Sequence, residues 1–237
     1  MVPQCNGKIF LADERGHLEL DWFRTYNTFN FGRYQHQHKT PFGPLYVLND
    51  DTLAGKKSLH MSVEEDSEVL ILPIVGAVTY IDSHGQTAVI QAGECRLFTT
   101  PKGTSLEIAN PFDEELINFL QVWFKKTTGD DTDRSPSFSF DINNNKNSLV
   151  QIAAGSSGNK FYIGKYEGRK EAIYKMSSEG NGLFVFVIEG AFEVQYRLLH
   201  ARDGLALWNV KEVEWEALSN DAIILVMELP LQKEPSL

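Results

Sequence analysis

The sequence predicts an all-β fold built as two tandem barrels, and three observations carry that prediction. Short runs of apolar, β-branched and aromatic residues recur along almost the whole chain, divided by turn signals. Helical periodicity of useful length is missing, with Asp13–Phe23 the one weak candidate. The strand pattern also stops after Phe124, crosses a polar stretch and starts again.

In the first half the strand-like runs are Leu45–Leu48, Glu68–Leu72, Val78–Ile81, Thr87–Ile90, Cys95–Thr99, Ser105–Ile108 and Ile117–Phe124. The turn signals between them are Asn49-Asp50-Asp51, Pro73, Ser83-His84-Gly85, Ala92-Gly93, Pro101-Lys102-Gly103 and Asn110-Pro111. Regular short strands of this kind suit a sandwich or barrel. Residues 125–148 are polar and turn-rich and read as a connection, with Phe138 and Phe140 as a strand-like anchor inside it. Beyond it come Phe161–Tyr166, Ala172–Met176, Leu183–Ile188, Phe192–Tyr196, Leu205–Trp208, Val213–Glu216 and Ala222–Leu229. Val75-Gly76-Ala77-Val78 is echoed by Glu189-Gly190-Ala191-Phe192, and Ala92-Gly93-Glu94 by Asp203-Gly204-Leu205. Internal similarity of this kind indicates a duplication. The expected division is a first barrel over 1–124, a linker over 125–148 and a second barrel over 149–237.

The chain has 237 residues, which allows one large domain or two small ones. Its formal charge of −10 weighs against nucleic-acid binding, which needs a basic face. Two cysteines, Cys5 and Cys95, form no CxxC pair and no disulfide scaffold, and are expected to be reduced thiols in a cytoplasmic protein. The longest apolar runs, Leu70–Val75, Leu183–Ile188 and Ala222–Met227, fall far short of the ~18–20 residues a membrane helix needs. The N-terminus has no apolar core of the signal-peptide kind.

Several ordered motifs carry a resemblance to a known family. They are Ala12-Asp13-Glu14-Arg15-Gly16-His17, Trp22, Thr28-Phe29-Asn30-Phe31-Gly32, Leu45-Tyr46-Val47-Leu48-Asn49-Asp50-Asp51, Gly76-Ala77-Val78, Asp82-Ser83-His84-Gly85 and Phe119-Leu120-Gln121-Val122-Trp123. Together they resemble the pirin family, and the strand–Gly–strand element resembles the cupin barrel. The resemblance implies a bicupin of two double-stranded β-helix (jelly-roll) barrels. It also implies one metal, usually iron, in the N-terminal barrel, held by a His-x-His pair, a later His and a Glu two residues beyond. Some members of the family oxidise flavonols such as quercetin.

Counting back from Gly76, the family's His-x-His pair falls on Ser62 and Glu64, and a further Glu of the pattern on Glu68. Counting forward from Gly93, the later His falls on Leu106 and the Glu on Ile108. Leu and Ile offer no lone pairs, Ser is a weak neutral ligand, and one carboxylate does not hold iron or zinc. His60 and Glu107 enter the barrel only by a one-residue slip, which turns a strand residue to the opposite face. The expectation is that no metal is bound, and that Ser62, Glu64, Leu106 and Ile108 line a pocket with Glu68 as its polar group. In the second barrel the equivalent positions are Met176, Ser178, Ala217 and Ser219, which are no metal set either.

Other candidates have plainer readings. His36-Gln37-His38 would share one face of a strand, but no third ligand lies near it, so it reads as a solvated loop that binds a cation only adventitiously. Glu64-Glu65-Asp66 with Glu68 reads as a solvated acidic turn. The alternative is a cation or general-base site with a raised carboxylate pKa. His17 is expected to tie the N-terminal segment to the barrel; His84 and His200 are turn residues. Gly155-Ser156-Ser157-Gly158 lacks the Lys and helix of a phosphate loop, and no nucleophile motif appears. Trp22, Trp123, Trp208 and Trp215 are expected to pack in cores. The leading functional expectation is a non-catalytic small-molecule-binding or regulatory bicupin without a cofactor. A quercetin 2,3-dioxygenase-like oxidoreductase and a protein–protein module stand as alternatives.

Overall fold

A computed structural model describes residues 5–126 and 136–231. The first half contains β1 (Gly7–Phe10), a 3-10 turn (Ala12–Glu14), β2 (Gly16–Glu19), β3 (Phe23–Asn27), β4 (Leu45–Leu53) and β5 (Ser58–Ser62). It continues through β6 (Ser67–Val75), β7 (Ala77–Asp82), β8 (Thr87–Gln91), β9 (Glu94–Thr100), β10 (Ser105–Ala109) and β11 (Ile117–Lys125). After β12 (Ser137–Ser139) the second half runs β13 (Leu149–Ala154), β14 (Lys160–Tyr166), β15 (Glu171–Lys175), β16 (Asn181–Glu189) and β17 (Ala191–Val194). The last four are β18 (Arg197–His200), β19 (Gly204–Leu207), β20 (Glu212–Ala217) and β21 (Ala222–Pro230).

Each half is a pair of facing antiparallel sheets. The first barrel sets β12-β9-β6-β11-β4-β3-β2 against β5-β10-β7-β8; the second sets β1-β19-β16-β21-β14-β13 against β15-β20-β17-β18. The strand orders β9-β6-β11-β4-β3 and β19-β16-β21-β14-β13 run in parallel, as do β5-β10-β7-β8 and β15-β20-β17-β18, which is the duplication in structural form. The Gly-Ala turns that marked the repeat are equivalent as well. Gly76 (φ +80°) and Gly190 (φ +77°) both take the left-handed backbone that links β6 to β7 and β16 to β17.

Two segments cross between the halves. β1 pairs with β19 and so belongs to the second barrel, which corrects its assignment to the first. β12, inside the expected linker, pairs with β9 and extends the first barrel's sheet, and its neighbour Phe140 packs on the core between the barrels. Each barrel is thus closed along one edge by the chain that precedes the other.

Among the described residues three apolar clusters form the interior. One lies inside the first barrel, including Val47, Leu53, Leu106, Ile108, Phe119 and Trp123. A second lies inside the other barrel, including Tyr166, Phe192, Trp215, Ile224 and Val226. The third unites both halves through Phe10, Phe29, Leu48, Leu72, Phe124, Phe161 and Phe184. Alternation produces this layering, because successive side chains on a strand point to opposite faces. On β11, Ile117, Phe119 and Trp123 enter the first barrel while Leu120, Val122 and Phe124 enter the shared core.

Three local expectations are corrected. Asp13–Phe23 is a 3-10 turn followed by β2 and the first residue of β3, not a helix. Pro73 lies within β6, opposite the register shift between Asn118 and Phe119, where a missing N–H is tolerated. Asn49-Asp50-Asp51 is the middle of β4 rather than a turn.

Candidate functional site

A cavity of about 610 Å³ opens into the first barrel beside β2–β5 and β11. Its floor is polar. In register across three strands, Asn27 on β3 faces Asn49 on β4, which faces Gln121 on β11; in the next row Thr25 faces Asp51, which faces Phe119. Val47, Asn49, Asp51 and Leu53 share the inward face of β4, so two polar residues interrupt an otherwise apolar stripe. Thr25, Asn27, Asn49, Asp51 and Gln121 are all buried.

Hydrogen bonds hold the floor in one arrangement. Trp123 donates its indole N–H to Gln121 Oε1 at 3.3 Å. Indole nitrogen can only donate, so this bond fixes the amide and turns Gln121 Nε2 to Asp51 Oδ2, 2.5 Å away. Asn27 Nδ2 donates to Asn49 Oδ1 at 2.8 Å and to Thr25 Oγ1 at 3.2 Å. Asp51 Oδ1 is buried and has no hydrogen-bond partner of good geometry. Burial pushes the Asp51 carboxyl up to about 7, against the pull of Thr25 and Gln121 and with added repulsion from Asp50.

The walls are apolar: Phe23, Phe31, Leu59 and Met61 line the cavity and pack on the first barrel's core. Phe31 and Tyr34 exchange backbone hydrogen bonds around Gly32, whose φ of +55° makes the tight turn that brings Phe31, Arg33 and Tyr34 to the cavity. The Tyr34 ring lies so close over Gly16 that a Cβ there would meet it at 2.4 Å. His17, stacked on Tyr26, and the exposed His60 complete the rim.

The residues picked out from the sequence are scattered. Leu106 and Ile108 point into the first barrel as buried core residues. Ser62 and Glu64 are exposed and lie outside the cavity lining, because β5 turns Leu59 and Met61 inward with Val63 following them into the core. The register explains this: Met61 pairs with Leu106 and Leu59 with Ile108, so those four share a face and Ser62 falls on the other. Glu68 is buried but outside the cavity. It reaches into the other half, where Ser156 donates its N–H (2.5 Å) and its hydroxyl (2.7 Å) to Oε1, and Asn159 Nδ2 donates to Oε2 at 3.2 Å. Gly155 makes room for it, since a Cβ there would come within 2.2 Å of Oε2. The Gly155–Gly158 loop therefore cradles an internal carboxylate.

The other acidic neighbours are engaged at the surface: Glu65 pairs with Lys125 at 3.2 Å, and Asp66 accepts the Lys102 N–H at 2.8 Å. Of the second-barrel positions, Met176 and Ala217 pack in its core and Ser219 accepts the Ala191 N–H at 3.1 Å. His36 and His38 are exposed, and the His38 N–H donates to His36 Nδ1 at 3.2 Å. Cys5 lies against Arg197, whereas Cys95 is buried, donates to the Ile152 carbonyl at 3.1 Å and has its thiol pushed up to about 12 by burial. Among the described residues no three His, Cys, Asp or Glu side chains converge as a metal site, and no helix is long and apolar enough to cross a membrane.

Asn49, Asp51 and Gln121 stand in the family-like motifs but are not marked as site residues by the sequence. The usable signal was period two: Val47, Asn49, Asp51 and Leu53 alternate with Leu48, Asp50 and Thr52 as one continuous strand.

Comparison with known proteins now adds the family. The Pirin family model matches residues 10–124, and a model described as "Quercetinase C-terminal cupin domain" matches residues 157–229. The chain is a pirin-like bicupin. It is 24% identical over 225 residues to quercetin 2,3-dioxygenase of Escherichia coli (strain K12), covering 92% of this chain and 96% of that one. The crystal structure of YhhW from Escherichia coli superimposes with a TM-score of 0.85 at 21% identity, covering 97% of this chain and all of that one. The bacterial pirin YhhW in complex with nickel(II), from the same organism, gives 0.83 at 21% identity, over 95% of this chain and 100% of that one. At these identities the structural likeness speaks for the fold.

Proposed function

We propose that this pirin-like bicupin is a cytoplasmic, non-catalytic small-molecule-binding protein whose first barrel works without a metal. One observation carries the reading: the inward positions of the two paired strands β5 and β10 are Leu59, Met61, Leu106 and Ile108. A pirin iron centre needs imidazoles and a carboxylate, whereas this set offers one thioether. Ser62 and Glu64, the positions reached by counting from Gly76, face solvent and do not change that result. The cavity supports the binding half of the reading, because its size and its few fixed polar groups among apolar walls are those of ligand pockets. The acidic total of −10 disfavours nucleic acid as a partner.

The second reading is a metal-dependent quercetin 2,3-dioxygenase-like oxidoreductase, favoured by the names of the relatives at 24% identity or less. Metal analysis of protein purified without chelators, followed by oxygen uptake with quercetin in the presence of added iron, nickel or manganese, separates the two. The expected result is metal well under one equivalent and no oxygen consumption above the free-ion control. A stoichiometric metal with metal-dependent turnover would overturn the first reading.

A further inference from the structure

The second barrel shows what the first one leaves undone. There the inward face of β21 carries Ala222, Ile224 and Val226 and then the buried carboxylate Glu228. Tyr174, Ser177 and Asn181 all donate to Glu228 at 2.5–3.0 Å. Burial works against its charge, but those hydrogen bonds outweigh burial and hold it below the usual glutamate range. Asp51 in the first barrel has one donor in good hydrogen-bonding geometry, Gln121, and a weaker pull from Thr25, and its Oδ1 has no well-formed bond. A buried polar atom without a partner is costly, and an open cavity beside it lets a ligand supply the partner.

The groups around Asp51 restrict what that ligand can be. Phe23, Phe31, Leu59 and Met61 ask for an apolar or aromatic body. Among the described residues no cation pairs with Asp51. Asp50, its neighbour on β4, faces the other way and is paired with Arg15 at 3.3 Å and Arg202 at 3.5 Å. The remaining titratable and charged groups of the cavity, His17, Arg33, Tyr34 and His60, stand on the Phe31–Tyr34 turn and the rim, and β3 and β11 contribute none. A carboxylate ligand would meet the ionised form of Asp51 as a like charge in a chain of net charge −10, whereas an ammonium favours that form and supplies counter-charge and donor together.

Resting on the metal-free binding role set out above, we infer that the first-barrel cavity takes an amphiphilic primary amine, its ammonium on Asp51 Oδ1 and its apolar body against Phe23, Phe31, Leu59 and Met61. Asn49 assists, because its Oδ1 is occupied by Asn27 and its own amide N–H groups remain for a second polar atom of the ligand. The proton balance is explicit: an ammonium arriving at protonated Asp51 sends the carboxyl proton to solvent and leaves the ion pair. With the carboxyl pushed up to about 7, binding near that pH is coupled to proton release.

Titration calorimetry with 2-phenylethylamine, 2-phenylethanol and 3-phenylpropanoate, run in two buffers of different ionisation enthalpy, tests this. The amine is expected to bind with 1:1 stoichiometry at least tenfold more tightly than the alcohol, with proton release, and the carboxylate not to bind. In D51N the amine should lose its tenfold advantage and its proton release while the alcohol binds as before. In L59W, which fills the cavity and leaves Asp51 in place, all binding should disappear, with thermal unfolding confirming that both variants are folded. Absence of saturable amine binding at millimolar concentration, an amine affinity unchanged in D51N, or amine binding that survives L59W would each overturn the inference. Alcohol binding with no amine preference would sink it and leave the binding role intact. A stoichiometric metal together with amine binding lost in D51N would sink the metal-free role and leave this inference standing.

Discussion

Asp51 combines complete burial, one well-formed hydrogen bond from Gln121, a weaker pull from Thr25 and an Oδ1 without a well-formed partner. Its folded-state carboxyl, near 7, lies well above the ordinary value near 4 that the unfolded chain restores. Between those values the folded protein holds a proton that the unfolded chain has released. The stability contribution is therefore full at low pH and declines as pH rises toward and through 7. Denaturant unfolding at pH 5 and pH 8 should show a loss of about 3 kcal/mol from this group, and D51N should flatten the slope and be the more stable protein at pH 8. An unchanged slope in D51N would mean that other groups titrate in that window. In the sequence this residue sits in Asn49-Asp50-Asp51, whose composition is that of a turn. Cross-strand partners on both sides, Thr25 and Phe119, override that preference and keep the strand extended. Glu68 teaches the same lesson. The spacing to Gly76 put it in the first-barrel pocket, but it lies outside the cavity and its partners Ser156 and Asn159 lie in the other half of the chain.

At the scale of elements, β5 decides the chemistry of the first barrel. Counting from Gly76 placed the inward pair at Ser62 and Glu64, which requires an unbroken strand from β5 into β6. The structure instead turns the chain at residues 63–66, and pairing with β10 resets which side chains face in. Directly opposed residues on paired strands bring their Cβ atoms to roughly 5 Å, within reach of a shared metal. The variant L59H/M61H/L106H/I108E should consequently bind one equivalent of nickel or zinc and raise its thermal midpoint on metal addition, as any ligand specific to the folded state does. The variant S62H/E64H/L106H/I108E should show neither effect. The opposite ranking, read by metal content after gel filtration, would show that β5 takes the other register. Strands β7 to β11 were readable because each has an apolar alternation ended by a strong turn signal. β5, Ser-Leu-His-Met-Ser, is a short strand with no β-branched residue, and its identity comes from its partner strand.

At the scale of the molecule, the two barrels are joined more deeply than a linker implies. The shared core takes large side chains from both halves, β1 completes the second barrel, and β12 extends the first. Residues 149–237 expressed alone would expose Phe161, Phe184 and Met227 to water and lose the β1 edge. They should bind ANS and unfold without a cooperative transition, and a sharp thermal transition in that fragment would refute the shared-core account. The same reasoning predicts that the halves remain associated after a single cut within the linker, since Phe10, Phe29, Phe124, Phe161 and Phe184 of the shared core come from outside it.

The sequence alone determined the all-β class, the duplication and its Gly-Ala anchors. Those properties depend on composition and on periodicity within a single strand. Only the tertiary structure decided that β1 and β12 cross between barrels, that Glu68 ties the halves, and that Leu59 and Met61, rather than Ser62 and Glu64, face inward. It also brought Asn27, Asn49, Asp51 and Gln121 together as a cavity floor. Each of those outcomes depends on pairing between strands distant in the chain. A strand's own sequence states that its faces alternate, and only its neighbour across the hydrogen bonds states which face is inside.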